Sequence, residues 1–168
     1  MKSAVVIFAL AVVLFHSLLP AQTAPAYSQN AVYFEALGQG ILYSINFDHR
    51  FSENIAVRAG FSSFNVDIVL SDFTITTIPL MLEFLSGHGS SHFEFGVGIV
   101  PIHGSSSENF LGLGSNQATG KWVVVGTMTV GYRYQPPGEG FLFRIGVTPL
   151  LASDPIPLWG GISLGYAF

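Results

Sequence analysis

The chain contains no cysteine. That excludes a disulfide framework, a thiolate metal site and a lipid-attachment cysteine. Charge is scarce too: Asp, Glu, Lys and Arg make up 10% of the residues, well below the roughly 25% of ordinary soluble domains. Six basic residues against ten acidic ones leave no Lys/Arg cluster for phosphate, which excludes nucleic acid as a partner. Beyond residue 26 no continuous apolar stretch is long enough for a spanning helix. What is present instead is 15 Phe, 6 Tyr and 19 Gly. A chain so apolar and so poor in charge, yet without a spanning helix, reads as a transmembrane β-barrel, the other fold that satisfies every backbone group in lipid.

The first 26 residues read as a cleaved secretory leader. Lys2 supplies the positive start, Ser3 to Leu19 is almost unbroken apolar chain, Pro20 breaks it, and Ala24-Pro25-Ala26 offers a small-residue cleavage site. Cleavage after Ala24 would put Pro25 first, so the expected boundary is Ala26, leaving residues 27–168 as one barrel domain.

A period of two marks the strands. They are expected at 31–38, 41–49, 55–64, 73–85, 92–102, 121–135, 140–151 and 158–168, with Gly38-Gln39-Gly40 as a tight turn. Residues 31–48 also read as one long strand, because the alternation passes through that glycine pair. Bacterial single-chain barrels have even strand numbers, which favours the split. The connections at 50–53, 86–91 and 136–139 are then short and lie on one side. Those at 65–72, which holds Asp67 and Asp72, at 103–120 and at 152–157 are longer and lie on the other. The last strand has Ile162, Leu164, Tyr166 and Phe168 on one face and Ser163, Gly165 and Ala167 on the other. A greasy face opposed to a small, uncharged one fits lipid outside and a narrow lumen inside.

With leader, strand number, loop asymmetry and the terminal Gly161-Ile162-Ser163-Leu164-Gly165-Tyr166-Ala167-Phe168, the chain resembles the small outer-membrane barrels of the OmpA/OmpX type. The resemblance implies an all-β, eight-stranded antiparallel up-and-down barrel in the outer membrane of a Gram-negative bacterium. It also implies that the assembly machinery reads the C-terminal strand with its final aromatic. It says little about function, because one fold hosts many. Trp122 and Trp159 begin strands at the outer rim, and Tyr134 and Phe168 lie near the other, as two interfacial aromatic belts require.

Opposite the greasy faces lie Glu35, Asp48, Arg58, Glu83, Glu94, Arg133 and Arg144. Counted along their strands, all seven fall in one layer of the lumen. Four acids and three arginines there are expected to pair, since an unpaired charge in a narrow lumen is costly. An eight-stranded barrel has room only for its own side chains, so the layer reads as a plug rather than an ion path. Above it the lumen face is expected to be small or hydroxylic, with Ser44, Ser62, Thr77, Thr127, Thr129 and Thr148.

Chemistry has one place to hide. His103, Ser105 and Glu108 hold the residue types of nucleophilic catalysis, and the His-x-Ser spacing is similar to that of outer-membrane lipid A deacylases. The triplet is short and glycine-rich, so no catalytic residue is assigned and the chain is read as non-enzymatic. His49, His88 and His92 flank turns without ligand spacing, and no metal or cofactor is expected. The functional reading is a barrel with a charge-plugged lumen, structural or acting in surface recognition through its external loops, with outer-membrane lipid as its surroundings and its external ligand unknown. A lipid-modifying enzyme on the same barrel, or a secreted soluble barrel holding a small apolar ligand, are the alternatives.

Overall fold

The structure, a computed structural model, describes residues 27–68, 71–104, 121–151 and 159–168. The leader lies outside these residues. Eight antiparallel strands close into a barrel: β1 (Asn30–Leu37), β2 (Tyr43–Arg50), β3 (Ile55–Ile68), β4, β5 (Ser91–Gly104), β6 (Lys121–Tyr134), β7 and β8 (Gly160–Ala167). Two of them are interrupted. β4 comprises Ser71–Thr77 and Leu80–His88, and β7 comprises Gly140–Val147 and Leu150–Leu151. Each break falls at a proline, Pro79 and Pro149, which cannot donate to the ladder. Their carbonyls still accept, from Gly60 N at 2.8 Å and Met128 N at 3.4 Å, so each broken strand continues as one stave.

Each strand pairs with its sequence neighbour, and β8 returns to pair with β1, from Ala31 opposite Ala167 to Leu37 opposite Gly161. No edge is left in this ring, which removes the aggregation liability of an open sheet. Both ends of the ring lie at one rim, where Asn30 and Phe168 exchange backbone hydrogen bonds of 2.9 and 2.8 Å.

Residues 31–48 do form two strands. Gly38–Gly40 is a single 3-10 turn, and its flanks are unusual: Leu37 has φ 62° and Ile41 has φ 74°. The Leu42 amide bonds the Gly40 carbonyl at 3.1 Å across Ile41, a γ-turn of the strained hand. The loop expected at 65–72 is shorter than the sequence indicated. β3 runs on to Ile68 and β4 starts at Ser71, with Asp67 opposite Asp72 in the ladder rather than in a loop. Asp is depleted in strands, which is why a stretch holding two of them reads as loop from sequence.

The burial pattern is inverted with respect to a soluble protein. Ile45, Val57, Leu80, Val97, Val130 and Ile145 are exposed on the outer face, while Glu83, Arg133 and Asp48 are wholly buried inside. Alternation within each strand produces this, because one face of every strand meets the axis. β1 shows it plainly: Ala31, Tyr33 and Glu35 are buried, Val32 and Phe34 exposed.

Candidate functional site

The interior holds the chemistry. All seven charged side chains expected on the lumen face are buried, and the structure brings them together in one network. Glu83 on β4 is its hub. It meets all three arginines: Arg58 Nε at 3.2 Å, Arg133 Nη1 at 3.2 Å and Arg144 Nη2 at 2.9 Å. Arg133 on β6 is its counterpart. Its fork reaches Asp48 at 2.6 Å, Glu83 at 3.2 Å and Glu94 at 3.4 Å, while its Nε donates to Gln135 at 2.8 Å. Arg144 also pairs with Glu94 through two nitrogens, one of them at 3.0 Å. Glu35 closes the ring from β1, 3.5 Å from Arg58 and accepting from Ser44 and Ser163 at 3.4 Å each. Arginine, with a planar five-donor fork, is well suited to serve several carboxylates at once.

Neighbours of the network complete it, and sequence reasoning did not single them out. Tyr33 donates its hydroxyl hydrogen to Asp48 at 3.0 Å, accepts from Arg144, and lies with its ring 4.8 Å from the Arg144 guanidinium. Gln39, carried inward by the 3-10 turn, accepts from Arg58 Nη2 at 2.7 Å and donates to Thr129 at 2.5 Å. Tyr33 could have been found from its parity with Ala31 and Glu35. Gln39 could not, because a turn residue has no parity. Arg50, buried at the last position of β2, was missed too; it donates to the Glu53 carbonyl at 2.5 Å and covers the Tyr27 ring at 4.7 Å.

Both ends of the lumen are occupied. On the side of the termini, the Ser28 carbonyl accepts from Gln135 at 3.2 Å, which draws the chain before β1 across the mouth. Ser44, Ser62, Thr77, Thr127, Thr129 and Thr148 are buried as expected, but on the far side the lining is not only small and hydroxylic. Ile75, Val100, Ile102, Val125 and Leu150 pack there as a buried apolar cluster, reached by Ile41, Phe64 and Val123. These residues share the lumen parity of Thr77, Thr127 and Thr148, so the interior changes from charged to apolar along its length. Between the two zones Glu35, Glu94, Thr129, Arg144, Thr148 and Ser163 line a cavity with space for about one water molecule.

The remaining expected residues are placed as follows. Trp122, Tyr134 and Phe168 are exposed on the outer face. Trp159 is half-buried, has the parity of the lumen-facing Gly161 and Ser163, and donates its indole N–H to the Gly38 carbonyl at 2.8 Å. It therefore holds the β1–β2 turn from above. His103 is half-buried with its ring 5.0 Å from that of Trp122. Ser105 and Glu108, its expected partners, lie outside the described residues. His92 is buried, His49 bonds Asn30 at 2.9 Å, and His88 is exposed. Among the described residues these histidines join no group that could hold a metal ion.

Compared with solved structures, the barrel is similar to the N-terminal beta-barrel domain of Pseudomonas aeruginosa OprF. The TM-score is 0.55 at 14% identity, over 84% of this chain and 99% of that one. The fold is thereby shown. It is the closed eight-stranded barrel that the sequence resemblance to OmpA/OmpX-type proteins implies. Ail, the attachment invasion locus protein of Yersinia pestis, also matches, with a TM-score of 0.43 and 14% identity over 84% of this chain and 97% of that one. No protein-family model and no curated protein sequence matches the chain.

Proposed function

We propose that this chain is an integral outer-membrane barrel with a closed lumen, non-enzymatic, serving a structural or surface-recognition role through its external loops. The observation that carries the reading is the inversion of burial. Ile45 is 60% exposed and Phe34 50%, whereas Glu83 and Arg133 are fully buried. Apolar surface left to water costs about 25 cal/mol per Å², and wherever Val32, Phe34, Ile45 and their like point outward the wall would carry that cost in an aqueous compartment. In lipid the cost disappears, and the backbone is already satisfied by the closed ring. The interior supports the closed state: four carboxylates and three guanidiniums fill the middle, an apolar cluster fills the far end, and residues before β1 cross the near end. The expected partners are outer-membrane lipid around the wall and the assembly machinery at the terminal strand ending in Phe168.

The test is partitioning of the mature chain. In a detergent phase-separation experiment it should enter the detergent phase, and in cells it should resist extraction from membranes by urea or carbonate. A monomeric, detergent-free soluble form would reject the membrane reading and favour a soluble barrel with an apolar ligand.

A further inference from the structure

The outer face of the barrel changes character at different heights around the ring. On β3 the outward side chains run Ile55, Val57, Ala59 and Phe61, and then turn to Ser63 and Asn65. The facing strand agrees. Thr76 bonds Ser63 at 3.1 Å and Thr74 donates to Asn65 at 2.9 Å, both on the outer surface. Tyr43 of β2 turns its hydroxyl to the same level, donating to the Ser63 carbonyl at 2.6 Å. The β2–β4 side therefore becomes polar directly above Phe61.

The β5–β7 side does not. Along β6 the outward positions pass from Tyr134 and Tyr132 through Val130 and Val124 to Trp122 without one charged or hydroxylic aliphatic residue. β5 supplies Val97, Ile99 and Pro101 beside them, and Leu151 of β7 lies opposite Gly126. Val124 is 60% exposed, Trp122 52%, Leu151 49% and Ile99 45%. With about 3.3 Å per residue and a strand tilt near 40°, the apolar run is about 15 Å tall on β3 and about 30 Å on β6. Phe51 in the turn below Ile55 lengthens the short run by only a few ångströms.

We infer that the outer boundary of lipid contact is oblique: outer-leaflet acyl chains cover Ile99, Val124, Trp122 and Leu151 on the β5–β7 side, while water reaches Ser63 and Thr76 on the β3–β4 side. This rests on the membrane-barrel reading. Lipid is the occupant because the upper stripe continues the lower one without interruption, and because neighbouring strands at that height already carry water-facing hydroxyls. The stripe also ends as a lipid contact should. His103 and Trp122 pair their rings there, two amphipathic groups of the kind that settle at headgroup level.

The chain has two tryptophans, which makes the boundary measurable. Trp159→Phe leaves Trp122 as sole fluorophore. Removing both and introducing Ser63→Trp reports the other side, and Val57→Trp in the same background reports the mid-wall. Each is reconstituted in phosphatidylcholine vesicles brominated at defined acyl depths and is then titrated with aqueous acrylamide. Trp122 should lose most of its emission to shallow bromines and be shielded several-fold from acrylamide. The tryptophan of Ser63→Trp should show the reverse. If Trp122 is quenched by acrylamide as freely as that of Ser63→Trp, or is shielded from both quenchers as a second protein copy would shield it, the oblique boundary is wrong. Should Val57→Trp also escape bromine quenching, the membrane reading itself fails. The unmodified chain, measured alongside, guards against damage by Trp159→Phe, because the half-buried Trp159 adds only a background to the Trp122 signal.

Discussion

Gln39 and Thr129 hydrogen-bond across the lumen at 2.5 Å, joining the β1–β2 turn to a strand that is not its neighbour. Gln39 also accepts from Arg58, so one amide links the turn, the far wall and the charge network. Replacing it with Ala removes both bonds and leaves Arg58 Nη2 without that acceptor in a buried site. Such a loss costs about 1–3 kcal/mol. Gln39→Ala should unfold at correspondingly lower urea in detergent or lipid, read by tryptophan fluorescence, with Trp159 above Gly38 as the local reporter. An unchanged midpoint would mean that the turn is held by its backbone alone.

The same turn carries strain that a single substitution should relieve. Leu37 has φ 62° and ψ −134°, a region suited to glycine, and its side chain is 45% exposed. Strain of this kind costs roughly 1–3 kcal/mol when another residue occupies it. Leu37→Gly should therefore raise the unfolding midpoint, a gain reduced by the greater freedom of glycine in the unfolded chain. The measurement is the same urea titration, and a fall in stability would show that the Leu37 side chain contributes more to the wall than its backbone costs.

How far the sequence carried this structure depends on periodicity. Glu35, Asp48 and Arg133 were placed correctly because a strand gives each residue a side, and the inward side can be counted; Tyr33 obeys the same rule but carries no charge to draw notice. Gln39 escaped because a turn residue has no such rule, and Arg50, which shares the buried parity of Asp48, escaped because the expected strand stopped at residue 49. The apolar cluster of Ile75, Val100, Ile102, Val125 and Leu150 escaped for a different reason. Once apolar residues are assigned to lipid, inward ones look like noise in the pattern, and although they share the countable parity of Thr77 and Thr127, only the structure shows that they pack together as a cluster. Trp159 was legible as an aromatic at a strand start, but not as a group turned toward the Gly38 carbonyl. That contact depends on where another hairpin ends.

The charge network makes a prediction about closure. Arg133 faces Asp48, Glu83 and Glu94 at 2.6, 3.2 and 3.4 Å, and removing it leaves the network's four buried acids with only Arg58 and Arg144 to balance them. Breaking a buried pair by deleting one partner typically costs about 3–5 kcal/mol. Arg133→Ala should unfold at clearly lower denaturant, and in planar bilayers it should show brief openings that the parent lacks. Glu83→Gln should be milder, because the amide oxygen can still accept from one of the three arginines. Large, steady single-channel steps from the unmodified protein would overturn the closed-lumen reading.

Whether the barrel acts on lipid is tested at His103. Its ring lies against Trp122 rather than free at the rim, and the triplet to Ser105 offers no orienting group among the described residues. A catalytic His–Ser pair loses several orders of magnitude in rate when either member is removed. In cells overproducing the parent, His103→Ala or Ser105→Ala, the outer-membrane lipids should therefore give three matching mass spectra. His103→Ala should instead change the emission of Trp122, since it removes the ring packed beside it. A deacylated or otherwise altered lipid seen with the parent and absent from both variants would make this barrel an enzyme and would assign His103 its base.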